Sequence, residues 1–265
     1  MHWLTIPYDL PLRRPWPGIG VRRRGCILRV SRDGVSGFGD YAPLPLLGRE
    51  GLGAAMTCAI ETALCDRAAR AAGVPLSRWL NPNAARRVRV NGVFSGSGDI
   101  LKLKLPKSVD EALRLIERAA TRPVSLRLDA NRGFSFDDAA ILLRAIASLP
   151  IDHFEEPLHA PTLAGLQELQ ALVPFPIAVD ESLTGLGIEA VLGSGLRRIV
   201  LKPALLGGPL RSLEIAGQAA TAGVEVVVTT VLDSAFGAWA AAHLAAAVDP
   251  DFGAANPAVD GRVRR

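Results

Sequence analysis

The sequence predicts an α/β fold, a parallel barrel of compact or incomplete form with a small N-terminal α+β cap, on three observations. From about residue 88 onward, short apolar runs alternate with capped amphipathic stretches, the punctuation of repeated βα units. Each run ends in a polar residue, in turn Lys104, Asp129, Glu155, Asp180, Lys202 and Thr229, spaced 22 to 27 residues apart. Residues 1–87 lack that alternation. Equivalent strand ends converge at the C-terminal mouth of a (β/α)7β-type TIM barrel, whereas an open doubly wound sheet would spread them along an edge and usually carries a Gly-rich first turn. No such turn is present.

The runs assigned to strands are Val88–Phe94, Ile100–Leu105, Val124–Asp129, Ile151–Glu155, Phe175–Asp180, Arg198–Lys202 and Glu225–Thr230. Helix starts are marked by Ser108 before Val-Asp-Glu, Ser135 before Phe-Asp-Asp, Thr162 after Pro161, and Pro209, whose helix closes on Gly223. In the cap, Val21–Val30 and Val35–Gly39 read as antiparallel strands joined through Arg32, Asp33 and Gly34. A Pro-rich loop over 42–47 and an Ala-rich helix from about Leu52 to Ala72 follow. The domain reading is thus a cap over 1–87, a barrel over 88–250 and a C-terminal segment over 251–265.

Composition narrows the function classes. With 49% hydrophobic and 21% charged residues, the chain of 265 residues is too apolar for disorder and long enough for a large core. Cys26, Cys58 and Cys65 are too few for a disulfide scaffold and read as buried thiols in a reducing compartment. The start MHWLTIPYDLPLRRPW lacks a basic segment followed by an apolar core, so no export is expected and the cytoplasm is the predicted location. The most apolar helical stretch, Ala235–Val248, falls short of the roughly 20 residues that cross a bilayer. A net charge of +4 could serve nucleic acid, but the arginine clusters are scattered and poor in aromatics, so a solvated surface is the expected reading.

Three carboxylates at three successive strand ends, Asp129, Glu155 and Asp180, would repel one another unless a cation sat between them. An all-oxygen donor set suits Mg²⁺, with Mn²⁺ a possible substitute. Any one of the three could merely cap the next helix, but three in register is harder to explain that way. Lys102 and Lys104 in LKLKL point to one face of a strand while the leucines point to the other. Ammonium groups are rarely buried without a partner. Lys202 ends its strand in the same manner. Lysines flanking a metal suit a base on each side of a bound carbon acid.

Lys102-Leu103-Lys104, Asp129-Ala130-Asn131, Phe154-Glu155-Glu156-Pro157, Asp180-Glu181-Ser182 and Leu201-Lys202-Pro203, in this order and spacing, resemble the enolase superfamily, muconate-lactonizing subgroup. LRLDANRGF, FEEPL, AVDESL, VLKPAL and TTVLDSAFG are most like the o-succinylbenzoate synthase branch, and GFGDYAPLPLL resembles the substrate-covering loop, with Asp40 at its acidic position. The resemblance implies Mg²⁺ on Asp129, Glu155 and Asp180, with Glu155 rather than Glu156 the ligand. It implies Lys104 as base and then acid on one face of a small carboxylate substrate, Lys102 as its electrostatic partner, and Lys202 stabilising charge from the opposite face. Asn131, Glu181, Thr229, Thr230 and Ser234 become substrate-contact candidates. A lysine base beside Mg²⁺ is the scheme of that superfamily at large. Loss of water from a cyclohexadiene carboxylate is the implied reaction. Racemisation of an N-acylamino acid, a Schiff-base aldolase on Lys202 and a non-enzymatic binding protein remain as alternatives.

Two departures stand out. Only Ser-Gly-Ser-Gly-Asp separates Phe94 from Ile100, where a parallel crossover needs a dozen or more residues, and residues 252–263 match the superfamily's final strand poorly. Gly207-Gly208-Pro209 before a helix could cradle an anion or simply form a tight loop. His2, His153, His159 and His243 show no metal-ligand spacing, and Trp3, Trp16, Trp79 and Trp239 read as core or cap contacts. The sequence gives no oligomeric state.

Overall fold

The computed structural model describes residues 1–16, 18–44, 48–93, 99–248 and 258–260. The end of the Pro-rich loop, Phe94 with the four residues after it, and most of 251–265 lie outside the described residues. The chain divides into two compact units, one of residues 1–89, 201–217 and 227–265 and the other of 90–200 and 218–226.

The first unit opens with an antiparallel sheet of β1 (His2–Trp16), β2 (Gly20–Arg32) and β3 (Val35–Tyr41), in that order. The expected hairpin between β2 and β3 turns on Asp33 and Gly34, both at positive φ (52° and 78°). Strand β1 was not anticipated. Pro7, Pro11 and Pro15 break its apolar pattern, and prolines are tolerated because β1 is an edge strand. Helix α1 (Gly48–Ala71) packs on β3 through Ala59 and Ala63, both fully buried. The approach is close enough that a Cβ on Gly37 or Gly39 would overlap the carbonyl oxygens of Ala63 and Ala59. Cys58 and Cys65 are buried on this helix as expected, whereas Cys26 on β2 is only half-buried. Helix α2 (Leu76–Leu80) follows, and the backbone N–H of Ser77 donates to His243 Nδ1 at 3.1 Å, which gives that histidine a structural role.

The second unit is built on parallel strands: β4 (Arg89–Val93), β5 (Ile100–Lys104), β6 (Ser125–Asp129), β7 (Ile151–Glu155), β8 (Ile177–Val179), β9 (Arg198–Leu201) and β10 (Glu225–Val228), neighbours in that order. Helices α3 (Val109–Ala120), α4 (Phe136–Ile146) and α5 (Leu163–Ala171) connect β5 to β8, and the short α6 (Leu183–Leu186) and α7 (Ile188–Leu192) lie before β9. The side chains of Ser108, Ser135 and Thr162 each accept a hydrogen bond from a backbone N–H of the first turn, as their positions in the sequence predict. Between β4 and β5 only residues 94–99 intervene, too few for the helix the other modules carry. Helices α8 (Pro203–Leu206), α9 (Pro209–Thr221) and α10 (Ala235–Val248) complete the order, with β11 (Ala258–Asp260) in the segment that matched poorly. No helix among the described residues is long and apolar enough to cross a membrane.

The parallel strands sort their side chains by alternation. On β6, Leu126 and Leu128 are fully buried on one face, and Arg127 and Asp129 are buried on the other. The same holds for β7, where Phe154 meets Phe134 in an edge-on ring contact while His153 and Glu155 face the opposite way. One face of this sheet is therefore apolar, and the other collects charge.

Candidate active site

Register brings the charged residues together. Lys104 pairs with Asp129 across β5 and β6, and Asp129 with Glu155 across β6 and β7. Lys102, two residues before Lys104, donates from Nζ to Glu155 Oε1 at 3.1 Å and Oε2 at 2.8 Å, and lies 3.1 Å from Asp129 Oδ2. Both carboxylates are 3% exposed, so the ammonium offsets charge that water cannot reach. Asp180 follows directly on β8. Burial pushes Glu155 up, but the Lys102 ammonium, His153 and Asp180 together hold it well below the usual carboxylate range. Asp129 is pushed up, first by burial and then by the Glu155 charge. The pair thus shares one ammonium, and Glu155, gripped through both oxygens, keeps the stronger claim on it.

A second chain of contacts runs along the strand ends. Lys104, exposed, donates from Nζ to Asn131 Oδ1 at 2.7 Å, and Asn131 Nδ2 donates to Glu181 Oε1 at 3.2 Å. The Asn131 backbone N–H donates to Asp129 Oδ1 at 3.1 Å. Asn131, Arg132 and Glu156 all have positive φ (45°, 58° and 49°), a conformation rare outside glycine. Backbone bonds between the two loops, Ala130 N to Glu155 O and Arg132 N to Glu156 O, hold it. Glu156 is turned away from Glu155: its Oε1 accepts from the backbone N–H groups of Asp180 and Ser182 at 2.7 and 2.8 Å, and its Oε2 accepts from Ser182 Oγ at 2.6 Å. Of the two adjacent glutamates, one faces the charge cluster and the other anchors the Asp180 loop.

The other candidates belong to the first unit. Lys202, half-buried, stands at the start of α8 with its carbonyl accepting from Leu205 N at 2.8 Å. Thr229 is buried, and its Oγ1 has no hydrogen-bond partner among the described residues. Thr230 is half-buried. Ser234 N donates to Asp40 Oδ2 at 2.7 Å, and Tyr8 OH donates to Asp40 Oδ1 at 2.8 Å. Asp233 beside them is pushed up to about 7 by burial and by the Asp40 charge.

Sequence reasoning missed the residues beneath the carboxylates: Arg127, Asp152, His153 and Arg198, all buried or nearly so. The signal was available, because Arg127 and His153 stand two positions before Asp129 and Glu155 and so share their face, the same logic that singled out Lys102.

Among the described residues, no three acidic, histidine or cysteine side chains stand close enough to enclose a metal ion. The donor set nonetheless fits a hard divalent cation. Its ligating atoms are carboxylate oxygens, and the Asp129–Glu155 pair already recruits a cationic group, the Lys102 ammonium.

Residues 82–256 match the family described as Enolase C-terminal domain-like. An o-succinylbenzoate synthase of Mycobacterium tuberculosis (strain ATCC 25618 / H37Rv) is 33% identical over 247 residues, spanning 90% of this chain and 72% of that protein. A hydrophobic dipeptide epimerase of Flavobacteria bacterium (strain MS024-2A) is 28% identical over 213 residues, 72% of this chain, and the chain spans only 61% of the epimerase's length. Among solved structures, the dipeptide epimerase from Enterococcus faecalis V583, complexed with Mg and the dipeptide L-Leu-L-Tyr, superposes with a TM-score of 0.80 at 22% identity, covering 97% of this chain and 88% of that one.

Proposed function

The chain belongs to the enolase superfamily, and on that premise we propose that it is an o-succinylbenzoate synthase, a Mg²⁺-dependent carbon–oxygen lyase. It would dehydrate 2-succinyl-6-hydroxy-2,4-cyclohexadiene-1-carboxylate to 2-succinylbenzoate in menaquinone biosynthesis. The observation that carries the reading is the Asp129–Lys102–Glu155 cluster with Lys104 at the adjoining strand end. Asp129, Glu155 and Asp180 would hold Mg²⁺, which when bound supplies positive charge opposite the substrate carboxylate.

Lys104 would take the proton α to that carboxylate. The bond it makes to Asn131 Oδ1 orients its ammonium form, so the proton it has taken can pass to the departing hydroxyl on the same face and leave as water. Lys102, paired with two carboxylates, would counter negative charge as it develops and favour the neutral form of Lys104 by like-charge repulsion. The superfamily resemblance gives charge stabilisation to Lys202 and substrate contact to Thr229, Thr230 and Ser234 in the first unit, and substrate contact to Asn131 and Glu181 in the second. Three unpaired cysteines favour a reducing compartment such as the cytoplasm.

The decisive experiment is turnover of the cyclohexadiene acid by the purified protein with and without Mg²⁺. Aromatic product that requires the ion, and is lost in Lys104→Ala and Asp129→Asn, supports the reading; undiminished turnover in either variant would refute it. A sister reaction, epimerisation of a dipeptide or racemisation of an N-acylamino acid, is favoured by the epimerase similarity. In that case the α-hydrogen of such substrates would exchange with deuterated solvent, and the cyclohexadiene acid would remain unchanged.

A further inference from the structure

His153 lies two residues before Glu155 on β7, on the same face, and is 1% exposed. One edge of its ring is clamped. Asp152 Oδ2 accepts from Arg127 Nε at 2.8 Å and from Arg198 Nη1 at 2.7 Å, and lies 2.9 Å from His153 Nδ1. Arg198 Nη1 also stands 2.7 Å from that same Nδ1, and the guanidinium is held in turn by Glu225. Burial pushes Asp152 up, but His153 and the two guanidinium groups hold it far below the usual carboxylate range, so the clamp is a fixed anion between fixed cations. The other edge is open: Nε2 is buried, has no hydrogen-bond partner among the described residues, and lies 3.7 Å from Glu155 Oε2.

At Nδ1 the neighbours compete: the Asp152 carboxylate can only accept and the Arg198 guanidinium can only donate, so that edge does not fix the ring proton. The other edge does. A lone pair on Nε2 would face the negative charge of Glu155 Oε2, so Nε2 carries a proton. We infer that His153 is a positioning residue for Glu155: its clamped ring presents an Nε2–H donor that fixes Oε2 when that carboxylate turns from Lys102 to a divalent cation. The inference rests on the proposed role of Glu155 as a metal ligand. Donors behind carboxylate ligands commonly matter to the affinity of the ion itself.

The test is Mg²⁺ titration calorimetry of the full chain without substrate, alongside thermal melts in EDTA. His153→Asn keeps a polar group at the clamped edge and loses the Nε2 donor; His153→Gln carries its amide nitrogen out to the Nε2 position; His153→Phe keeps only bulk. Mg²⁺ affinity is expected to fall about 10-fold or more in the Asn and Phe variants and to return within about 3-fold of the parent in the Gln variant. A merely packed histidine would lower the melting temperature and leave Mg²⁺ affinity alone. Unchanged affinity in His153→Asn, or equal losses in the Asn and Gln variants, overturns the inference. If His153→Phe does not fold, the Asn and Gln pair decides. Glu155→Gln separates the two readings. Mg²⁺ bound by the parent, lost in Glu155→Gln and kept in His153→Asn overturns this inference alone, whereas a parent that binds no Mg²⁺ removes the functional reading and this inference with it.

Discussion

Lys102 grips Glu155 through both carboxylate oxygens, at 3.1 and 2.8 Å, while serving Asp129 at 3.1 Å. Removing a buried cation that two carboxylates share leaves uncompensated negative charge. Lys102→Met should therefore cost about 3 kcal/mol of stability in EDTA. Urea unfolding at pH 7 measures the loss, and it should shrink as acid neutralises the carboxylates. An unchanged midpoint would mean that the ammonium contributes nothing there.

Lys104 faces solvent and donates to Asn131, and its positive charge also acts on Asp129. Lys104→Ala should lower kcat by at least about 100-fold, the low end for loss of a general acid–base group, while Mg²⁺ affinity by calorimetry stays within about 2-fold. Parallel loss of both would show that Lys104 holds the site together rather than moving protons.

Glu156 secures the Asp180 loop with three hydrogen bonds to a buried carboxylate. Bonds to charged groups contribute about 1.5–3 kcal/mol each in net terms and are not additive. Glu156→Ala should accordingly destabilise by at least about 3 kcal/mol, and Glu156→Gln, which keeps one acceptor, by roughly half that. Chemical denaturation of the two variants checks the order, and the reverse order would discount the loop anchor.

Asp233, pushed up to about 7, gives a pH signature. The folded chain holds this proton more tightly than the unfolded one, whose carboxyl titrates near 3.8. Between about pH 4 and 7 the native state binds more protons, so this group's contribution to stability falls as pH rises and levels off above 7. Asp233→Asn should flatten that slope and exceed the parent in stability at pH 8. Urea midpoints across this range decide it, and a variant less stable than the parent at pH 8 refutes it.

Much of the second unit was legible because its signals are local. Ser108, Ser135 and Thr162 cap helices where their spacing said they would, and the leucine–lysine alternation on β5 identified the face that carries Lys102. Strand β1 was illegible because its prolines are admitted only by a position at the sheet's edge, which is a tertiary fact. The ion pair between Lys102 and Glu155 spans 53 residues and depends on register, so the sequence could place both groups on one face without joining them. The sequence treated His153 as a residue without ligand spacing. Its importance comes from Asp152 and Arg198 around it, not from any motif.

The left-handed backbone at Asn131, Arg132 and Glu156 has a consequence for how this chain can change. Each such residue carries roughly 1–2 kcal/mol of steric cost that glycine would not. Arg132→Gly would relax the turn but would also remove the guanidinium 3.2 Å from the buried Glu156 carboxylate, so the steric relief is offset by a lost ion pair. It would slacken the rim on which Asn131 is set against Lys104. The strained backbone is therefore kept by the partner its side chain reaches, and this position has little room to change.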